Sequence, residues 1–82
     1  MTEKSRKERT GPSPRMKAVG DKLKAIRTER GYSSYDFFAW ENKLSRHSYL
    51  NMEQGKNFTM NSLIKVLDIH GITLEDFFKG LK

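Results

Sequence analysis

The sequence predicts an all-α fold, a compact bundle of five short helices. Three observations carry this expectation. Every apolar period steps by three and four residues, and none alternates as a strand would. Most periodic stretches have a serine or threonine ahead of them or a glycine behind, the residues that open and close helices. One connection, Asn42-Lys43-Leu44, is so short that its two helices must cross steeply, as in a helix-turn-helix.

Residues 1–14, MTEKSRKERTGPSP, hold no large apolar residue after Met1 and end in Gly-Pro-Ser-Pro, so a disordered basic arm is expected there. Residues 15–82 then make one domain, a size at which a single core is only just sufficient. Its first helix is expected from Met16 to Arg30, with Met16, Val19, Leu23 and Ile26 on one stripe and Gly31 ending the run. Arg27 borders that stripe, which makes it a charge in need of a partner. The second helix opens at Ser33 or Ser34, with Asp36 placed three residues after Ser33 like a capping box. Phe37, Phe38, Ala39 and Trp40 cannot all point inward. Phe38 is the best core candidate, and one of Phe37 or Trp40 is left exposed or covering an edge. Ala39 is small enough to let the next helix come close.

That next helix is SRHSYLNMEQG, capped by Ser45 and released by Gly55. Leu44, Tyr49 and Met52 share its apolar back, so Arg46, His47, Leu50 and Asn51 face out. Lys56-Asn57-Phe58 forms a loop. Thr59 caps a fourth helix reaching about His70, and Gly71 ends it. Thr73 and Asp76 form a capping box at the start of a last helix with Leu74, Phe77, Phe78 and Leu81.

The net charge of +6 favours an anionic partner, either nucleic acid or an acidic surface. Eight of the sixteen cations fall within the first 24 residues, while Asp68, Glu75 and Asp76 collect near the end. Without cysteine there is neither a disulfide framework nor a thiolate metal site. His47 and His70 belong to different helices, and no carboxylate stands at a ligand spacing from them, so no metal and no cofactor are expected. His70 is expected to interact with the last carbonyls of its helix. No nucleophile–base pair or glycine-rich phosphate loop is present, and the chain is not expected to be an enzyme. No apolar run approaches the ~18 residues of a membrane span, and no signal-peptide pattern precedes the domain. The expected location is the cytoplasm.

The order of elements and the residues in them resemble the lambda-repressor-like (Cro-type, XRE) helix-turn-helix DNA-binding domain. The pieces that carry the likeness are LKAIRTERG at 23–31, SYDFFA at 34–39, LSRHSYLNMEQG at 44–55 and SLIKVLDIHGITLEDFF at 62–78, about two-thirds of the chain. Ala39, Leu44, Tyr49 and Met52 keep the family's internal spacing of five, five and three. The resemblance implies that the helix at 45–53 enters the major groove of double-stranded DNA. It implies base contacts from Arg46, His47 and Asn51, and phosphate contacts from Tyr35, Ser45, Gln54 and Lys56. It also implies a structural ion pair between Arg27 and Glu53. The chemistry suits these roles, since Arg can grip guanine O6 and N7 with two bonds and Asn can do the same for adenine. Lys43 stands where the family prefers glycine and Asn42 where it prefers an aliphatic residue. The stretch Gly31–Ser34 is one residue longer than usual.

The function expected from all this is sequence-specific DNA binding by a homodimeric transcriptional regulator. The alternative is a protein-interaction module, for example an antitoxin-like partner of a second protein, which keeps the fold. Its support is an aromatic excess at Phe37, Trp40, Phe58, Phe77 and Phe78.

Overall fold

The computed structural model describes residues 13–81. These form five helices, and no strand occurs among the described residues: α1 (Pro14–Glu29), α2 (Tyr35–Glu41), α3 (Arg46–Glu53), α4 (Met60–His70) and α5 (Leu74–Lys79). Each begins in the same way. Ser13, Ser34, Ser45, Thr59 and Thr73 accept a hydrogen bond from the amide three residues on, at 3.0–3.3 Å. A hydroxyl in that position satisfies one of the amides a helix start leaves open and contributes about 1 kcal/mol per cap.

One start and one capping box differ from the sequence expectation. α1 opens at Pro14 rather than Met16, because Ser13 is a cap and proline fits the first helical turn. The last two residues assigned to the arm therefore belong to α1, and the rest of the arm, residues 1–12, lies outside the described residues. At α2 the cap is Ser34, whose hydroxyl takes the Phe37 amide, so Ser33 and Asp36 do not form the box expected of them.

The helix ends are also uniform. After α1, α3 and α4 the chain turns through Gly31, Gly55 and Gly71 in the left-handed region, and paired backbone bonds close the turn. α2 ends with the same bonds, Lys43 N–H to Trp40 O at 3.2 Å and Leu44 N–H to Ala39 O at 2.8 Å. Here the left-handed residue is Lys43, at φ 59°. The turn is therefore unaltered, and lysine adopts the strained backbone itself. Asn42 takes a polar job in place of an apolar one, its Nδ2 donating to Phe38 O at 2.9 Å.

Leu23 of α1, Phe38 and Ala39 of α2, Tyr49 and Met52 of α3, Leu63, Val66 and Leu67 of α4, and Phe77 of α5 make the core. α1 and α3 touch backbone to backbone at Gly20, where an added β-carbon would lie 2.7 Å from the Met52 carbonyl oxygen and nearer still to that of Glu53. Gly55 packs in turn on α1, with its β position 2.8 Å from Lys17 Cα.

His70 does not serve its helix carbonyls. Its ring is buried and stacks on Phe38 at 5.2 Å with an 11° tilt, and neither ring nitrogen has a hydrogen-bond partner among the described residues. Arg30 donates to the His70 carbonyl instead, at 2.6 Å. The α2 aromatics also depart from expectation, since Phe37 and Trp40 are both exposed, at 51% and 75%. A seven-residue helix with Phe38 and Ala39 facing the core has no room to turn either ring inward.

Candidate functional site

The site is built on α3. Tyr49 and Met52 anchor its back, at 1% and 3% exposure, and its last residue is tied to α1. Arg27 Nε donates to Glu53 Oε2 at 2.6 Å and Nη2 to Glu53 Oε1 at 3.2 Å, while Nη1 reaches Tyr32 O at 2.6 Å. Both side chains are nearly out of solvent, so this two-pronged pair satisfies charges that could not stand alone there. The hydrogen bond that Arg27 donates to Glu53 raises the Arg27 pKa above its ordinary value, against the opposing effect of burial. Burial first, and the Glu53 carboxylate second, push the Tyr49 phenol up as well, so it stays neutral.

The front of α3 carries Arg46 and His47, both exposed, followed by Asn51. Asn51 and Leu50 are half-buried rather than fully outward. The chain returning from Gly55 folds back on the last turn, with Lys56 N–H donating to Asn51 O at 3.0 Å. Arg46 is not an isolated cation. Its Nε stands 3.4 Å from Asp36 Oδ1 in the first turn of α2, with side-chain exposures of 70% and 53%. A pair this wet contributes at most about 1 kcal/mol, so another acceptor can displace Asp36 at little cost.

Two clefts border α3. The larger, of about 720 Å³, gathers Tyr35, Gln54 and Lys56 with Lys17 and Lys24 of α1. The two carboxylates in it are already engaged, Asp21 with Lys17 at 2.7 Å and Glu53 with Arg27. The second, of about 190 Å³, lies along Ser45, Ser48, Tyr49 and Met52 and meets Lys43, Ser62 and Lys65. With successive residues turned ~100° about a helix axis, Ser48 of the second cleft and Leu50 of the first fall on opposite flanks of α3, with His47 and Asn51 on the strip between.

No family model, curated protein or solved structure matches the chain. Among the described residues, no group of three or more His, Asp or Glu is placed to hold a metal ion. No described helix is long and apolar enough to cross a membrane.

Of the phosphate-contact candidates, Tyr35, Gln54 and Lys56 share one cleft, whereas Ser45 lies on the other flank with its Oγ accepting from Ser48 N–H. Lys17, Lys24, Lys43, Lys65 and Asp36 join the site without having been singled out for it. Lys17 and Lys24 stand seven residues apart, two turns of one helix face, which is a readable signal. For Lys65 the sequence offers none.

Proposed function

We propose that this chain binds double-stranded DNA sequence-specifically through a helix-turn-helix made of α2, the turn at Lys43 and α3, and that it regulates transcription as a homodimer. In this reading α3 lies in the major groove with Arg46, His47 and Asn51 toward base edges, while Tyr35, Ser45, Gln54 and Lys56 meet phosphates. One observation carries it: the first turn of α3 presents an exposed His47 and a 70% exposed Arg46 guanidinium, with lysines in the clefts on either side. The resemblance to lambda-repressor-like domains supports the same assignment of roles, including the Arg27–Glu53 pair that fixes α3 to α1.

The test is selection of duplexes from a random pool, followed by titration of the winner and of scrambled DNA. Arg46→Ala should weaken the selected site by ~1–3 kcal/mol and flatten preference at one base position, with scrambled DNA affected much less. Equal losses on both duplexes would remove the base-reading role.

A second reading has its own observation. Phe37 and Trp40 are exposed and stacked on each other, with centroids 6.1 Å apart, on the outer face of α2. A surface of this kind suits a protein partner. Stoichiometric capture of a protein, lost in Trp40→Ala, together with an absence of salt-sensitive DNA binding would favour that reading.

A further inference from the structure

We infer that Lys43 and Lys65 seat the phosphodiester backbone of the second DNA strand, on the flank of α3 opposite Lys17, Lys24 and Lys56; this rests on the DNA-binding reading above. An α-helix with its side chains is ~10–12 Å across and the major groove is ~12 Å wide, so a helix lying in the groove has a phosphate backbone along each flank. The cleft beside Ser45 and Ser48 gathers two lysines on that second flank.

Its chemistry is that of an anion site. Among the described residues no carboxylate lines it. The hydroxyl oxygens of Ser45 and Ser62 already accept, from Ser48 N–H at 3.3 Å and from the Thr59 hydroxyl at 3.0 Å. Each of these two serines still has its proton to donate, beside two ammonium groups that only donate, over a floor of buried Tyr49, Met52 and Val66. A phosphodiester oxygen, which only accepts, is the matching ligand.

Lys43 supplies an independent observation. The three other helix ends of this type use glycine in the left-handed position, which glycine occupies without steric penalty. Lys43 holds φ 59° despite its side chain. Strain kept where glycine would relieve it points to use of the side chain.

The experiment measures binding of the full chain to its selected duplex across a salt series, for wild type, Lys43→Gln, Lys65→Gln, the double variant and, as control, Lys79→Gln on α5. Each cleft substitution should lower the slope of log affinity against log salt by about 0.9, with equal loss on selected and scrambled DNA, and the control should keep the wild-type slope. Inorganic phosphate in large excess should not displace the duplex from wild type. Lys43→Gly should separate folding from binding, because it raises Tm while weakening the complex. An unchanged slope in the double variant, or a Lys43→Gly protein that gains both stability and affinity, overturns the second seat and leaves the DNA reading standing. Displacement by free phosphate reassigns the cleft to a small anion. A wild-type chain with no salt-dependent duplex binding removes the DNA reading and this inference together.

Discussion

His70 sets a pH limit on the fold. Burial, and then the charge of Arg30, hold its pKa below the ordinary value of 6.5. The unfolded chain takes up a proton that the folded ring refuses, so protonation favours unfolding. The stability tied to His70 is fully present above about pH 6.5 and drains as pH falls through the lowered folded value. Thermal melts between neutral and mildly acidic pH should show Tm falling, and His70→Leu, which keeps an apolar ring site filled, should flatten that fall. Matching slopes for the two proteins would mean that His70 does not set the acid response. Residue chemistry alone suggested a histidine serving helix carbonyls, a sound prior for a helix end. It failed because Phe38 offers its face and Arg30 takes the carbonyl, and both are facts of packing between distant parts of the chain. Arg27 was legible for the opposite reason: a charge at the edge of an apolar stripe must find a partner, while Glu53 as that partner was implied by the family resemblance alone.

At the scale of elements, Gly20 is the contact on which the placement of α3 depends. A methyl there meets the carbonyls of Met52 and Glu53, which are backbone atoms and cannot rotate away. Gly20→Ala should therefore destabilise by about 1–3 kcal/mol, more than its gain in helix propensity returns, as helices α1 and α3 are pushed apart. Urea denaturation would measure it, and a midpoint at or above that of wild type would show that the two helices yield easily. Residue pattern alone could not warn of this contact, because a glycine inside a helix looks the same whether it faces solvent or a neighbour. Helix starts and stops were far more legible, since a cap is local chemistry that Ser, Thr and Gly announce by themselves. The one start that moved, at Pro14, is a shift of register within a run of capable residues rather than a missed helix, and at α2 the structure takes Ser34 of the two serines expected.

For the molecule as a whole, the two flanking clefts were out of reach of sequence reasoning. Each collects lysines from distant parts of the chain, and beyond the helical spacing of Lys17 and Lys24 only the folded arrangement brings Lys43 to Lys65 and Lys56 to α1. The basic balance was visible; its sorting around α3 was not. If the chain acts as a homodimer, a two-fold related site should carry half-sites one helical turn apart, roughly 34 Å. Hydroxyl-radical footprinting on a selected duplex should then give two protected patches with that spacing. A single patch at saturating protein would mean that one copy reads the site alone.

The close seat of α3 on α1, with Arg27 and Glu53 locked beneath it, also bears on how a duplex would have to meet this protein. A probe fixed so firmly cannot swivel to follow a curving groove, so accommodation passes to the DNA. Preference should therefore extend to untouched steps, where pliant pyrimidine–purine junctions let the double helix bend toward a rigid reader.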